Sequence, residues 1–263
     1  MKQKDIAEHN AKAWDEESIE ESEWCTPVKS DTIKRAIQGD WQIKLTPKKY
    51  VPSEWLGDVR EKFILCLGSG GGQQAPVLSA AGAHVVSLDI SAEQLAKDEM
   101  VALRDGLFLR TVKGDMSDLS GFSGGAFDYI VSAVSNIFVP DIQTIWDQCG
   151  RVLVPGGTLI TGIMNPSFFM FDHKKATDTG QLTVEYKLPY SDIESIPSKK
   201  LKDLIDNDVP IVFSHSLDEQ IGGLIRAGFV INGFYEDWWT DEATPLNKYS
   251  PTTMVIRALK QGE

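Results

Sequence analysis

The chain has 263 residues, of which 42% are apolar, and this length favours one enzyme-sized domain with an added segment. Its formal net charge of −12 disfavours nucleic acid as the main partner, because affinity for a phosphate backbone needs clustered lysine and arginine. Because the N-terminus is polar and acidic and no apolar run approaches about 18 residues, we expect neither a signal peptide nor a membrane partner. We therefore expect a cytoplasmic protein.

Residues 1–58 contain Trp14, Trp24, Trp41 and Trp55, four of the seven tryptophans. So many large apolar side chains are not typical of a disordered tail, so we expect this segment to pack on the rest of the chain. We interpret residues 1–58 as a helical lid on the substrate side of a domain that covers residues 59–263.

From residue 62 onward, short apolar runs alternate with helical patterns, which indicates repeated βαβ units around a parallel sheet. Two helix starts carry capping signals: Ser91 can accept from the backbone N–H three residues on while the Gln94 side chain reaches back, and Ser216 with Glu219 gives a similar start. The five predicted strands are KFILCL, HVVSLD, LFLRTVKGD, FDYIVSAV and GGTLITGIM, and the helical patterns between them begin at QQAPVL, SAEQLA and DIQTIW.

The C-terminal pattern differs, because two strand-like runs, VINGFYEDW and PTTMVIRALK, follow the last helix with no helix between them. Strands joined without a crossover are antiparallel, so the sheet should end in a hairpin. Residues 165–213 form a connection that is long for a compact domain, and we expect this insertion to form a cap over the substrate.

A glycine-rich stretch, LGSGGGQ, joins the first strand to the first helix. Glycine after a buried strand lets the backbone approach a ligand closely, and the helix that follows presents unpaired N–H groups. Gly68, Gly70 and Gly72 give the pattern G-x-G-x-G, whereas a dinucleotide site needs a third glycine where this chain has Gln73. That substitution opposes an NAD-dependent oxidoreductase, which stays an alternative.

Two carboxylates follow at the ends of neighbouring strands. Asp89 comes 21 residues after Gly68, where it can accept hydrogen bonds from both hydroxyls of a ribose. Asp115 lies 26 residues further on, where it can accept from an adenine amino group while Met116 packs near the ring. Together these positions predict an adenosine site without a pyrophosphate.

At this point the sequence resembles the class I S-adenosylmethionine-dependent methyltransferases over most of residues 60–260. The resemblance rests on LCLGSGGGQ, SLDIS, KGDM, FDYIVS, RVLVPGG and the terminal hairpin, in this order. It implies an α/β fold with a Rossmann-like doubly wound sheet of seven strands, in which strand seven lies antiparallel between strands five and six. It also implies S-adenosylmethionine as cofactor and S-adenosylhomocysteine as product.

One position departs from the family pattern. An acidic residue two positions before the first glycine often helps to hold the methionine ammonium group, and this chain has Cys66 there. That contact must then come from backbone carbonyls or another side chain. The chain looks closest to a bacterial group with a CLGSGGGQQAP loop, for which the resemblance ends at the reaction type.

Cys25, Cys66 and Cys149 lack paired or metal-like spacing, and no metal site is expected.

The resemblance and the strand ends together predict the cofactor site. Trp14 is included because an aromatic face on a covering helix suits a sulfonium cation. The predicted cofactor-binding residues are Leu67, Gly68, Ser69, Gly70, Gly72, Gln73, Asp89, Ile90, Gly114, Asp115, Met116, Ser132 and Trp14.

The catalytic candidates are Asn136, in the loop after strand four, and His215, which follows the insertion. Either side chain can orient a substrate, but a turn or a structural hydrogen bond is an ordinary alternative. We expect a monomer or homodimer that transfers a methyl group to a small molecule. The alternatives are a protein or RNA methyltransferase and a regulator that binds the cofactor without turnover.

Overall fold

The computed structural model describes residues 2–19, 23–240 and 242–262. Its seven strands are β1 Phe63–Leu67, β2 His84–Asp89, β3 Leu109–Lys113, β4 Phe127–Ser132, β5 Leu153–Met164, β6 Phe229–Asp237 and β7 Thr253–Lys260. They form one sheet in the order β3-β2-β1-β4-β5-β7-β6. Strand β7 is antiparallel to β5 and β6, whereas the pairs among β1 to β5 are parallel. The predicted Rossmann-like sheet with an antiparallel strand seven is confirmed.

The α-helices are α1 Gln3–Ile19, α2 Ser30–Ile37, α3 Ser53–Leu56, α4 Gln74–Ala80, α5 Ala92–Asp105, α6 Ile142–Val152, α7 His173–Thr179, α8 Asp192–Ser195, α9 Ser198–Asp206 and α10 Gly223–Arg226. A π-helical turn, Asp218–Gly222, leads into α10. Among the described residues, no helix has both the length and the apolar character needed to cross a bilayer.

Alternating side chains of the strands build two cores, one on each face of the sheet. In β1, Leu65 and Leu67 pack with α6 and α10 on one face. Ile64 and Cys66 point to the other face, where α2, α4 and part of α5 cover the sheet. The apolar runs of the sequence are continuous because central parallel strands are buried on both sides.

The two predicted helix starts differ in their outcome. The Ser216 N–H and Oγ donate to Glu219 Oε2, and the Glu219 N–H donates to Ser216 Oγ, so that capping box is complete. At the other start, Ser91 Oγ accepts from the Gln94 N–H at 3.1 Å, but the Gln94 amide donates to Cys25 Sγ. The predicted return bond from Gln94 is therefore wrong, because Asp89 already accepts from the Ser91 N–H.

The tryptophans of the N-terminal segment pack as expected. Trp14 lies edge-on against Phe138, with ring centroids 5.1 Å apart, and Trp24 lies edge-on against Trp239 at 5.2 Å. Trp41 and Trp55 pack against the core on the α4 face of the sheet. The segment thus covers both a face of the sheet and the carboxyl ends of its strands.

The insertion 165–213 folds into helices α7 to α9 around its own small apolar cluster. Its last residues, Ile211 and Phe213, pack against Ile6 of α1. The Asn10 amide of α1 donates to the carbonyls of Phe138 and Ile211, and Asn10 Oδ1 accepts from the Ile211 N–H at 2.8 Å. The insertion therefore packs against α1 and is hydrogen-bonded to it, which holds the helix in place.

Candidate active site

A cavity of about 690 Å³ opens at the carboxyl ends of the parallel strands, where open α/β sheets bind their ligands. It has two walls. The strand-end wall consists of the cavity-lining residues between positions 68 and 116, and the N-terminal wall of those between positions 3 and 50. Of the predicted cofactor residues, ten line the cavity: Trp14, Gly68, Ser69, Gly70, Gln73, Asp89, Ile90, Gly114, Asp115 and Met116.

Two glycines of the loop, Gly68 and Gly70, leave no room for a side chain. A Cβ on Gly70 would lie 2.5 Å from Gln94 Cβ and 3.2 Å from Asp89 Oδ2. Gly68 has φ +54°, and a Cβ there would lie 2.2 Å from Met116 Cε. The backbone of the loop therefore forms the surface of the cavity itself, as a ligand that contacts main-chain atoms requires.

Asp89 is held by the backbone around it. Its Oδ2 accepts from the Gly70 N–H and its Oδ1 from the Ser91 N–H, both at 2.9 Å. Burial raises the pKa of the carboxyl group, although these N–H bonds oppose that shift. Each carboxylate oxygen has a second lone pair, so the side chain can still accept from two hydroxyls of a ligand.

Asp115 is fixed in the same manner at the end of the next strand. Its Oδ1 accepts from the N–H and the hydroxyl of Ser117, each at 2.8 Å. The amide of Gln3, on α1, donates to the Ser117 hydroxyl at 3.2 Å. Asp115 is half-buried and lines the cavity beside Met116. Its second carboxylate oxygen, Oδ2, can therefore accept a hydrogen bond from an adenine amino group.

These features fit S-adenosylmethionine. The glycine cradle can take the methionine end, and Asp89 and Asp115 stand where a ribose and an adenine would be held. Cys66 is fully buried in the core, outside the cavity lining, and burial raises the pKa of its thiol well above the ordinary range. This thiol is therefore not the group that replaces the acidic residue of the family pattern.

A buried carboxylate that the sequence analysis missed stands behind the glycine loop. Asp98, on α5, accepts from the Gly72 N–H at 2.8 Å and from the Ser87 hydroxyl at 2.6 Å. Burial raises its pKa to about 7. The sequence did contain a signal for this residue. Asp98 lies on the same face of the predicted helix as Leu95 and Val101, and a charged residue on a buried helix face usually has a specific partner.

Three predicted cofactor residues do not line the cavity: Leu67, Gly72 and Ser132. Ser132 is buried, and its hydroxyl lies 3.1 Å from that of Ser135, which does line the cavity. Ser135 is thus the hydroxyl that the loop after β4 presents. Ser132 alone was named as a candidate from the sequence, because the turn that brings Ser135 to the cavity cannot be predicted from the strand pattern.

The two catalytic candidates lie together but outside the cavity lining. His215 is buried, its Nε2 lies 3.1 Å from the Asn136 carbonyl oxygen, and burial lowers the pKa of its imidazole. Asn136 is also buried. Their predicted catalytic roles stay predictions that this geometry does not support, since neither side chain reaches the cavity.

The N-terminal wall is formed by α1, by α2 and by the irregular segments on either side of α2, the second of which ends near residue 50. Helix α1 is tied to both aspartate loops, through Gln3 and Ser117 at one end and through Asp15 at the other. Asp15 Oδ1 accepts from the Ser91 hydroxyl at 2.6 Å and from the Glu93 N–H at 3.1 Å.

The insertion 165–213, predicted as the substrate cap, contributes no lining residue, so its cap role stays a prediction.

The comparisons with known proteins agree with this geometry. A sequence profile described as "Methyltransferase domain" matches residues 65–161. An uncharacterized methyltransferase of Bacillus subtilis, YbaJ, is 44% identical over 255 residues, which are 97% of this chain and 98% of that protein.

Two solved structures share the fold at low sequence identity. The S-adenosylmethionine-dependent methyltransferase of Mesorhizobium loti is 19% identical with a TM-score of 0.60, over 79% of this chain and 94% of that one. The 1,6-didemethyltoxoflavin-N1-methyltransferase of Burkholderia thailandensis, crystallised with 1,6-didemethyltoxoflavin and S-adenosylhomocysteine, is 15% identical with a TM-score of 0.61. That match covers 99% of this chain and 91% of the Burkholderia chain.

Proposed function

The chain belongs to the class I S-adenosylmethionine-dependent methyltransferases, and from this premise we propose that it methylates a small molecule inside the cavity described above. Bound S-adenosylmethionine supplies an electrophilic methyl group on a sulfonium. The protein then has to align the acceptor in line with that methyl group and exclude water.

The observation that carries the small-molecule proposal is the position of α1. This helix lies over the cavity and is tied to the Asp89 loop, to the Asp115 loop and to the insertion. A bulky acceptor would have to displace it, at the cost of several buried or half-buried hydrogen bonds. The Burkholderia structure, which holds a small molecule beside S-adenosylhomocysteine, supports the same acceptor class.

We assign the cofactor contacts to the strand-end wall. Asp89 holds the ribose, Asp115 accepts from the adenine amino group, and the backbone of the glycine loop lies along the methionine. Trp14 presents its ring from α1 toward the same space.

Three buried cysteines without disulfides also support the expected cytoplasmic location.

Titration with S-adenosylmethionine, S-adenosylhomocysteine and NAD tests the cofactor assignment. We expect micromolar binding of the first two compounds and no binding of NAD, because the loop lacks the third dinucleotide glycine. Tight NAD binding would contradict the assignment.

Incubation with labelled S-adenosylmethionine and a cell metabolite extract tests the acceptor class. A labelled small product supports the proposal. Label found only in protein or RNA would move the acceptor to those classes, and cofactor binding without any labelled product would favour a regulator.

A further inference from the structure

Besides the predicted cofactor residues, the cavity lining includes four further aromatic side chains: Trp24, Trp41, Tyr50 and Trp239. Flat aromatic faces favour a planar apolar ligand, because they bury large areas and stack at little entropic cost. Two cationic side chains, Arg35 and Lys44, line the same cavity.

The two cations differ in their partners. Arg35 Nη1 lies 3.8 Å from the Asp40 carboxylate, and both side chains are largely exposed. Lys44 is half-buried, and within the described ranges no carboxylate forms an ion pair with it. Its ammonium group lies 3.4 Å from the Pro47 carbonyl oxygen and 4.8 Å from the centre of the Tyr50 ring. An ammonium group with one long hydrogen bond and no ion-pair partner among the described residues can pair with an anionic ligand.

The backbone and the ammonium group of Lys44 lie at different parts of the cavity. The Lys44 carbonyl accepts from the Gln74 amide at 2.8 Å, and Gln74 Oε1 in turn accepts from the Ser69 hydroxyl at 3.2 Å. These two bonds connect Lys44 to the glycine loop. Its ammonium group, however, lies over Tyr50, which is 51% exposed, and therefore at the outer part of the cavity.

We propose that the methyl acceptor is a planar aromatic acid whose anionic group pairs with Lys44 while its rings pack among Trp24, Trp41, Tyr50 and Trp239. This inference rests on the proposed function, because it names the substrate class of the same cavity. The competing role for Lys44 is to pair with the carboxylate of the cofactor's methionine, and the position of the ammonium group over Tyr50 favours the acceptor.

The test uses two probes of matched shape, indole-3-carboxylate and indole-3-carboxamide, and measures their binding to the protein saturated with S-adenosylhomocysteine by calorimetry. We expect the wild-type protein to bind the acid about tenfold more tightly than the amide, as a charge-assisted bond predicts. Lys44→Met should remove this preference. Lys44→Arg should restore most of it.

Lys48→Met is the matched control. Lys48 is an exposed lysine four positions along the same segment and does not line the cavity, so the preference for the acid should persist. Thermal melting of each variant checks that it is folded.

The contrary results are distinct. Equal binding of acid and amide to the wild-type protein, failure of both to bind, or a preference that survives Lys44→Met would each overturn the inference. A loss of S-adenosylhomocysteine affinity in Lys44→Met of about tenfold or more would assign Lys44 to the cofactor. If the wild-type protein does not bind S-adenosylhomocysteine at all, the proposed function itself fails.

Discussion

The strand-end wall and the N-terminal wall face the same cavity but are built differently. In the strand-end wall, backbone N–H groups next to each carboxylate hold Asp89 and Asp115 in place. In the N-terminal wall, a helix is held by side chains such as Asn10, which bonds to segments far along the chain. The first wall depends on local backbone geometry, and the second depends on the tertiary packing of α1.

This difference predicts how each wall responds to substitution. Changes in the strand-end wall should reduce cofactor affinity directly, because they alter the surface or the charge that the ligand touches. Changes in the N-terminal wall should act mainly on how long ligands stay bound, because the wall can open while the sheet stays folded.

The largest effect is expected for Gly70→Ala. The added Cβ would meet Gln94 Cβ at 2.5 Å and the Gln94 backbone at 3.0 Å, so the glycine loop must shift. The shifted loop no longer fits the ligand, and moving it back on binding would cost up to about 3 kcal/mol, so S-adenosylhomocysteine should bind roughly 100-fold more weakly in calorimetry.

Gly121→Ala is the matched control for this change. A Cβ at Gly121 would have no atom within 4 Å, so affinity should be unchanged. Wild-type affinity in a folded Gly70→Ala protein would show that the ligand does not lie on the loop.

Asp89→Ala should have the next largest effect. Loss of charge-assisted hydrogen bonds to a ribose should weaken binding of S-adenosylmethionine by roughly 1.5–3 kcal/mol. Asp178→Ala removes an exposed carboxylate from α7 and should leave the affinity unchanged. An unaltered affinity in Asp89→Ala would take the ribose contact away from this side chain.

The strand-end wall was the part of the site that the sequence could predict. Asp89 and Asp115 could be placed at the cavity because parallel strands end at one edge of the sheet and because the spacing from Gly68 follows from the length of a βα unit, while their contacts with the cofactor stay predictions. The same reasoning predicted the antiparallel β7 from two strand-like runs without a helix between them.

For the N-terminal wall, the sequence predicted that a segment packs on the domain but not which of its residues line the cavity. Four tryptophans indicated that residues 1–58 pack, but no periodicity specifies that Lys44 and Tyr50 line the cavity while the insertion 165–213 lies behind α1. His215 and Asn136 show the same limit of the sequence, and their catalytic roles stay predictions. Both lie next to the opening in the chain order, but the turns around them direct their side chains into the protein interior.

Asp98→Asn tests a buried carboxylate that supports the strand-end wall through the Gly72 N–H and that the sequence did not reveal. The pKa of Asp98 is about 7 in the folded protein against 3.8 for an ordinary aspartate, so the folded state keeps a proton that the unfolded chain has lost. The stability that this group contributes is therefore complete below the lower value and is lost as the pH rises through the higher one.

Between pH 5 and 7, this single group should lower the free energy of unfolding of the wild-type protein by about 1 kcal/mol per pH unit. In Asp98→Asn that contribution should vanish, while the amide can still accept from Gly72 and meet Ser87. Urea unfolding at a series of pH values measures both slopes. Parallel slopes in the two proteins would mean that Asp98 is ionised across this range.

Asn10→Ala should give the smallest change and addresses the N-terminal wall alone. The substitution leaves the buried Ile211 N–H without its partner, which costs about 1–2 kcal/mol of local stability at the contact between α1 and the insertion. Because α1 covers the cavity, S-adenosylhomocysteine should dissociate about fivefold faster, as measured by stopped-flow fluorescence of the cavity tryptophans. Asn207→Ala, at the exposed end of α9, should leave the rate unchanged. If Asn10→Ala lowers the melting temperature but not the residence time, α1 supports the fold without closing the site, and the two walls do not differ in the way argued above.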